Sequence, residues 1–212
     1  MTVSSKKTDN HNLPAKLTLR ALFLREYHAE RAPKVFDCCQ GSGVIWKSIR
    51  REVEVASYWG VDLKYKAGRL KIDSVRVLDQ PGWDFDVIDV DTYGSPWKHW
   101  SAICRYVQKP TTVFLTIGNT LFRGSVDSES LLAMGLGVLA GKIPAGIIGK
   151  LSDMSIPYCL AGSERVRILR CVEASNHGNA RHIGLRVEPV EAKEATRESS
   201  LPSRPSEVNA TT

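Results

Sequence analysis

The sequence of 212 residues lacks the features that mark secreted, zinc-binding and membrane-spanning proteins. Its five cysteines are an odd number without a Cys-x-x-Cys pair, which argues against a disulfide framework and a structural zinc site. No run approaches the roughly 20 apolar residues of a membrane span, and no apolar segment of signal-peptide length lies near the first residue. We therefore expect a soluble, cytoplasmic protein with no metal and no membrane partner, and we leave its oligomeric state open.

Two nucleotide-binding motifs are also absent. The sequence contains no Gly-Lys-Ser/Thr, which excludes a phosphate-binding loop of the Walker type. It does contain a glycine turn, Gly41-Ser42-Gly43, between two apolar segments. A dinucleotide-binding turn needs a third glycine three residues later, where this chain has Trp46. Because that side chain would obstruct close packing of helix on strand, NAD and FAD are disfavoured as cofactors.

The charge of the chain lies in its middle. The net charge is +6, while residues 1–12 carry one net positive charge and residues 190–212 one net negative charge. The apolar content of 42% is ordinary for a globular domain, so the basic middle part can fold around a core. A basic folded domain suits a polyanion, and we expect nucleic acid as the partner, RNA rather than DNA. Many soluble domains are equally basic without binding nucleic acid, so charge alone does not decide.

Hydrophobic periodicity predicts one α/β domain over residues 13–190, between disordered tails at residues 1–12 and 191–212. Apolar strands alternate with amphipathic helices, and the last third contains a hairpin signal. The predicted strands span residues 35–39, 55–61, part of 71–77, 85–90, 111–117, 165–174 and 180–190, and the predicted helices follow Pro14 and span residues 44–52, 97–107, 126–139 and 144–151.

This alternation predicts a parallel sheet that is covered by helices on both faces. Five β/α units closed by an antiparallel hairpin resemble the class I S-adenosylmethionine-dependent methyltransferase fold. The resemblance implies a Rossmann-like, seven-stranded, mostly parallel sheet with an antiparallel C-terminal hairpin. In open α/β sheets of this kind the ligand binds at the carboxyl ends of the strands.

The first helix is predicted to bury an apolar face with a spacing of three and four residues. Basic residues lie between these positions and are expected to face solvent. With further bases along the chain they form either a phosphate-binding face or an ordinary solvated surface. The apolar positions are Leu13, Leu17, Ala21, Leu24 and His28, and the bases are Lys16, Arg20, Lys47, Arg50, Lys64, Lys66, Arg69 and Lys71.

The first predicted strand carries an acid, and a glycine turn follows it. The acid is Asp37, and Gly41, Ser42 and Gly43 form the turn. This segment resembles methyltransferase motif I, an acid followed by Gly-x-Gly. The resemblance implies that the turn passes under the methionine part of S-adenosylmethionine and that the acid lies near its amino group. Cys39, which we include among the cofactor-binding residues, stands where the family often has glycine.

Acids also follow the second and third strands. Asp62 ends the second apolar run, where an ionised carboxylate can accept hydrogen bonds from both ribose hydroxyls of a nucleoside. Asp73 and Ser74 follow the third strand and resemble the family's adenine-binding position, which uses the acid and the next backbone amide. Asp79 is an alternative to Asp73, because the third strand could continue further along the chain.

The fourth strand carries the most specific motif. Residues 85–96 read Phe-Asp-Val-Ile-Asp-Val-Asp-Thr-Tyr-Gly-Ser-Pro. The segment resembles motif IV of amino-methyltransferases, an acid followed by Pro-Pro-aromatic. In detail it is similar to the Asp-Pro-Phe/Tyr-Gly-Ser-Pro segment of tRNA N2,N2-dimethylguanosine methyltransferases, with Thr92 in place of the proline. The resemblance covers residues 35–124 and implies methyl transfer to an amine.

Elementary chemistry supports the same roles. The exocyclic amine of a base is a poor nucleophile, because its lone pair is delocalised into the ring. A carboxylate aligned on the amine hydrogens raises the electron density on nitrogen and then takes the proton. An aromatic ring can stack on the extruded base, a contact of about 1–3 kcal/mol. We predict Asp91 as this carboxylate and Tyr93 as the stacking ring, and Asp89 could share the role of Asp91.

The sequence thus predicts a methyltransferase that uses S-adenosyl-L-methionine and acts on an exocyclic amine of a base in RNA or DNA. One alternative keeps methyl transfer but directs it to a small molecule or a protein side chain. Another is a non-catalytic subunit that keeps the fold and binds nucleic acid or a partner. Thr92 and Cys39, which depart from the family's pattern, support this last alternative.

Overall fold

The computed structural model of the chain describes residues 12–64, 70–92, 95–118, 160, 165–175 and 180–190. The described helices are α1 (Leu13–Tyr27), α2 (Val44–Ile49), α3 (Ser74–Leu78) and α4 (Trp97–Tyr106). The described strands are β1 (Lys34–Asp37), β2 (Ser57–Asp62), β3 (Leu70–Lys71), β4 (Val87–Val90), β5 (Thr111–Gly118), β6 (Val166–Ser175) and β7 (Ala180–Pro189). The helices predicted at residues 126–139 and 144–151 and the predicted tails, except for Asn12, lie outside the described residues.

These strands form one seven-stranded sheet in the order β3-β2-β1-β4-β5-β7-β6. Strands β1 to β5 are mutually parallel, and β7 lies antiparallel between β5 and β6. The chain moves outward from β1 to β3 and then returns to the other side of β1, which creates the switch point where α/β sheets bind ligands. The fold class predicted from the sequence is therefore confirmed.

Helices cover both faces of the sheet. On one face α1 and α2 bury an apolar cluster that includes Phe23, Trp46 and Phe114. On the other face the second cluster includes Trp97 and Trp100 of α4. All four residues of β4 are buried, as expected for a central strand that is covered from both sides. None of the helices in the described part of the chain is long and apolar enough to cross a bilayer.

The predicted orientation of α1 is wrong. Its buried residues are Lys16, Leu19, Arg20, Phe23 and Leu24, so two of the bases expected in solvent lie against the sheet. Each of them meets a carboxylate at the carboxyl end of β4, which compensates its charge there. The helix ends at Tyr27, and the backbone N–H of the next residue, His28, donates to Leu24 O.

The third strand is shorter than predicted, and a helix follows it at once. Strand β3 contains only Leu70 and Lys71, and α3 then covers the residues from Ser74 onward. The Asp73 side chain accepts a hydrogen bond from Val75 N at 3.0 Å, which caps the first turn of α3. The β-branched valines of this segment gave a strand signal that the cap overrides.

Candidate active site

The glycine turn adopts the conformation that its composition predicts. Gly41 has φ of 50° and Gly43 has φ of 70°, a region that residues with a Cβ rarely adopt. Gly43 N donates to Gln40 O at 2.6 Å, and Gln40 N donates to Val61 O at 2.8 Å. The turn is therefore anchored to β2, its two glycines have no Cβ, and Ser42 between them is exposed.

Asp62 lies beside this turn. Its Oδ2 accepts a hydrogen bond from Gly41 N at 3.1 Å, and its Oδ1 accepts one from Lys64 N at 2.9 Å. A carboxylate has about four acceptor positions. Since the two bonds leave acceptor capacity on both oxygens, Asp62 can still receive a pair of hydroxyl donors next to the glycine turn.

Asp73 and Ser74 lie near Asp62 at the same edge of the sheet, because Ile72 N donates to Asp62 O at 3.1 Å. The Asp73 carboxylate is half-exposed beyond its capping bond. The Ser74 side chain is not directed towards Asp62. Its Oγ lies 2.8 Å from His99 Nε2, and both side chains are buried. The alternative acid, Asp79, follows the last turn of α3 and pairs with Arg105 of α4.

Asp37, which precedes the glycine turn in the sequence, is buried, and its carboxyl group accepts two hydrogen bonds. Tyr58 Oη donates to its Oδ2 at 2.7 Å, and Cys39 N donates to its Oδ1 at 3.3 Å. Burial first, and then the charge of Asp89, raise the pKa of Asp37 to about 8, although the Tyr58 hydroxyl opposes this. The carboxyl is therefore mostly neutral at pH 7. Burial also raises the pKa of the Cys39 thiol, which is inert as a nucleophile.

Asp89, in the centre of the sheet, is fully engaged by two residues from the helices. Two nitrogens of the Arg20 guanidinium donate to its carboxylate. Nε lies 2.7 Å from Oδ2, and Nη2 lies 2.5 Å from Oδ1. Trp46 Nε1 donates to Oδ2 at 2.7 Å. This bidentate, buried pair locks α1 to β4. With three of its roughly four acceptor positions occupied by these buried donors, Asp89 has little capacity left for a further ligand.

Asp91 follows β4 and holds an amine. Lys16 Nζ donates to both of its carboxylate oxygens at 2.7 Å, and the two side chains are only 8% and 14% exposed. Burial raises the pKa of Asp91, but the charges of Lys16 and Arg20 and hydrogen bonds from Lys16 and Thr116 outweigh it and keep that pKa below its usual range. Asp91 is therefore an ionised acceptor that already binds N–H groups.

Of the residues that follow Asp91 in the predicted catalytic segment, the structure describes Thr92, Ser95 and Pro96. Thr92 Oγ1 donates to Thr116 O at 3.4 Å, which ties the segment to β5. Ser95 Oγ accepts from Trp97 N at 3.3 Å at the start of α4. Tyr93 lies outside the described residues, so its stacking role stays a prediction.

The sequence patterns did not indicate five residues of this cluster. Lys16 and Arg20 were expected on a phosphate-binding or solvated face and instead pair with Asp91 and Asp89, and Tyr58, Thr116 and His182 had no predicted role here. His182 of β7 is 2% exposed, and its Nδ1 lies 3.1 Å from Thr116 Oγ1. Only the i, i+4 spacing of Lys16 and Arg20 could have indicated a shared face. Across the described ranges, no cluster of three His, Cys, Asp or Glu side chains could hold a metal ion.

No protein-family model and no curated protein matches this sequence, whereas the fold matches solved structures. Trm1 from Pyrococcus horikoshii, solved with S-adenosyl-L-methionine, has a TM-score of 0.54 and 14% identity, over 83% of this chain and 54% of that chain. Magnesium protoporphyrin IX methyltransferase from Synechocystis PCC 6803, solved with the same compound bound, has a TM-score of 0.50 and 13% identity, over 88% and 85%.

A putative hemolysin from Lactococcus lactis is similar as well, with a TM-score of 0.52 and 14% identity over 81% of this chain and 86% of that chain. This chain spans about half of the length of the Pyrococcus protein. Likeness at these identities establishes the fold, and the resemblance to the class I methyltransferase fold is confirmed. Since one fold hosts many activities, likeness of fold alone does not assign one of them to this chain.

Proposed function

We propose that this protein is an S-adenosyl-L-methionine-dependent methyltransferase that acts on an exocyclic amine of a base in RNA or DNA. The observation that carries the proposal is the contact of Lys16 with both oxygens of Asp91 at 2.7 Å. An ammonium group and a substrate amine both present N–H donors. Asp91 is thus an ionised carboxylate, at the carboxyl ends of the parallel strands, that already accepts N–H groups on both of its oxygens.

The residues around the glycine turn fit the cofactor. The positive φ angles of Gly41 and Gly43 leave a bare backbone for close approach. Asp62 keeps acceptor capacity for the ribose hydroxyls, and Asp73 with the backbone amide of Ser74 would hold the adenine. Asp37 and Cys39 would lie at the methionine end. When bound, the cofactor would supply a methyl group on a cationic sulfur, and that sulfur would keep the electron pair of the broken carbon–sulfur bond and leave as a neutral thioether. Two of the structural neighbours, from Pyrococcus and Synechocystis, were solved with this compound.

In the proposed reaction the substrate amine displaces Lys16 from Asp91. The carboxylate accepts the hydrogens of the amine, which directs the nitrogen lone pair away from the ring and towards the methyl group. Holding the amine in line supplies much of the rate, because it removes the entropy of a bimolecular encounter. Asp91 then takes the proton that the nitrogen loses as the new bond forms. The ring of Tyr93 would stack on the base.

The nucleic-acid substrate is supported by charge. Exposed basic residues follow the glycine turn and lie at or just after the carboxyl ends of β2 and β3, where they can contact phosphates. These residues are Lys47, Lys64 and Lys71. The similarity of residues 91–96 to the tRNA guanosine methyltransferase segment favours RNA.

The first experiment measures cofactor binding by calorimetry for the wild type and for Asp62→Ala. We expect binding by the wild type and a loss of at least tenfold in affinity for the variant. Asp84→Ala is the matched control, because Asp84 is an exposed acid that pairs with Lys34 and Lys109 at the start of β4. No binding by the wild type would refute the proposal.

The second experiment offers labelled methyl donor with total RNA, total DNA and a small-molecule extract, followed by nucleoside analysis. We expect label in an amine-methylated nucleoside of RNA, and none with Asp91→Asn. Label in the extract alone would instead identify a methyltransferase of small molecules.

A second candidate function is a non-catalytic subunit that binds nucleic acid or a partner. The Lys16–Asp91 pair supports it too, since a permanently neutralised acid could not act as a base. This alternative would be established if the affinity for nucleic acid is the same with and without the cofactor and no turnover occurs under any condition. Turnover that Asp91→Asn abolishes would exclude it.

A further inference from the structure

His99 of α4 is a buried histidine that contacts a residue to which we assign the adenine of the cofactor. Its Nε2 lies 2.8 Å from Ser74 Oγ, and both side chains are buried. Its other ring nitrogen, Nδ1, is also buried and has no hydrogen-bond partner in the described part of the chain. A buried polar atom without a partner lowers stability, so an apolar side chain would fill this position at a lower cost. Packing alone therefore does not account for a histidine here, and its contact with Ser74 offers a reason.

The position of α3 depends on such contacts, because a helix of five residues has little stability of its own. One polar contact between α3 and α4 is the ion pair of Asp79, just after α3, with Arg105. Both of these side chains are about half exposed, so their pair contributes little. The contact of Ser74 with His99 lies at the other end of α3 and is buried. His99 therefore holds the first residue of α3.

The buried side chain of Ser74 contrasts with the exposed one of Asp73, directly before it. The Asp73 side chain is 42% exposed, and its Oδ1 accepts the hydrogen bond from Val75 N at 3.0 Å. A ligand can thus reach this carboxylate, whereas the Ser74 hydroxyl faces His99. The peptide unit between the two residues carries the Ser74 N–H. Fixing the Ser74 side chain therefore restrains both the N–H and the carboxylate next to it.

The two groups assigned to the adenine have opposite hydrogen-bonding character. An ionised carboxylate only accepts hydrogen bonds, and a backbone N–H only donates one. Adenine presents a donor, its 6-amino group, next to an acceptor, N1. Hypoxanthine, the deaminated counterpart, presents the opposite pair, an oxygen acceptor next to an N1–H donor. The ratio of affinities for these two bases therefore reports how accurately the Asp73 carboxylate and the Ser74 N–H are placed.

We propose that His99 is a positioning residue for the adenine of the cofactor, and that its hydrogen bond with Ser74 Oγ places the Ser74 N–H and the Asp73 carboxylate for recognition of that base. The inference rests on the proposed function. It does not depend on which ring nitrogen of His99 carries the proton, because a hydroxyl can donate or accept. Since α4 begins at Trp97, directly after the predicted catalytic segment, His99 also connects the cofactor end of the site to its substrate end.

The test measures by calorimetry the binding of S-adenosyl-L-homocysteine and of S-inosyl-L-homocysteine, which carries hypoxanthine in place of adenine. Neither compound has a methyl group to transfer, so the readout is binding and not turnover. For the wild type we expect the adenine compound to bind roughly 5- to 150-fold more tightly. His99→Leu should reduce this ratio to near one, whereas His99→Gln, whose amide can still reach Ser74 Oγ, should keep it. A loss of stability alone would lower both affinities by the same factor and leave the ratio unchanged.

Ser74→Ala removes the same hydrogen bond from its other side and keeps the test valid if His99→Leu does not fold. Arg105→Met is the matched control, because it breaks the exposed ion pair between α3 and α4 and should leave the ratio at its wild-type value. A wild-type ratio near one, a ratio that survives in His99→Leu or Ser74→Ala, or an equal fall in Arg105→Met would overturn this inference alone. Binding of neither S-adenosyl-L-methionine nor S-adenosyl-L-homocysteine by the wild type would overturn the proposed function and this inference with it.

Discussion

Lys16 Nζ lies 2.7 Å from each carboxylate oxygen of Asp91, a residue 75 positions later in the chain. The first helix thereby neutralises the acid to which we assign the chemistry. Arg20 does the same to Asp89 one helical turn later. The two ion pairs fix α1 across the end of β4, and they make α1 part of the proposed active site.

We predict that Lys16→Met lowers the free energy of unfolding by about 3 kcal/mol, because it removes the ion-pair partner of the buried Asp91 carboxylate. Urea denaturation at pH 7 measures the change. The double variant Lys16→Met/Asp91→Asn should regain most of the loss. Arg25→Met is the control, since its pair with Glu52 at 3.7 Å is exposed and should contribute under about 0.5 kcal/mol. A loss in Lys16→Met as small as in this control would contradict the assignment.

These ion pairs also mark where the sequence could not predict the site. Periodicity assigns lysine and arginine on a helix to solvent, and it contains no information on a counter-ion far along the chain. The strand ends were predictable because each apolar run stops at an acid, as at Asp37 and Asp62. The partners of those acids come from tertiary contacts, which only the folded structure reveals.

Asp91 and Asp62 should separate catalysis from cofactor binding. We expect Asp91→Asn to lower kcat by about 10²- to 10⁴-fold, the usual contribution of a general base, while cofactor affinity changes less than threefold. Asp62→Asn should weaken cofactor binding and retain turnover at saturating cofactor. Calorimetry and single-turnover kinetics measure the two effects. The same response from both variants would mean that the two acids do not have separate roles.

Cofactor binding should release a proton at Asp37. Its carboxyl has a pKa of about 8 and is mostly protonated at pH 7. An ammonium group nearby favours the ionised form, so binding expels the proton, and affinity should rise from pH 6 to pH 8. Calorimetry in phosphate and in Tris, which differ in ionisation enthalpy, measures the release. Tyr58→Phe removes a hydrogen bond that lowers the pKa of Asp37. In this variant the increase of cofactor affinity with pH should therefore occur at higher pH. An identical binding enthalpy in both buffers would contradict the prediction.

Acid should destabilise the fold through its buried histidines. Burial lowers the pKa of His99 to about 4, whereas histidine in the unfolded chain titrates near pH 6.5. Between these values the unfolded state binds the additional proton, so stability falls as the pH decreases, by about 1.4 kcal/mol per unit for one histidine. His99→Asn should flatten the profile of unfolding free energy against pH by this amount, since other titrating groups are common to both proteins. Parallel profiles would show that His99 does not contribute.

The third strand illustrates a second limit of sequence reasoning. Val75 and Val77 have the β-branched side chains that favour strands. Asp73 nevertheless caps Val75 N, and the segment forms α3. A short capped helix and a short strand have the same composition here, and packing against α4 decides between them.

The contact between Gly184 and Phe23 controls how closely α1 packs on the hairpin. A Cβ at Gly184 would lie 2.6 Å from Phe23 Cε2. The Phe23 ring packs edge-on against the Phe114 ring, with 5.7 Å between the ring centroids. Because the ring is fully buried and cannot move aside, Gly184→Ala should lower the free energy of unfolding by about 1–3 kcal/mol. In a Phe23→Leu background the smaller side chain leaves room for the new Cβ. Gly184→Ala should then lower the free energy of unfolding by under about 0.5 kcal/mol, as an ordinary surface substitution does. Urea denaturation of the four proteins gives the coupling energy. A cost that is equal in both backgrounds would show that a different contact requires glycine at this position.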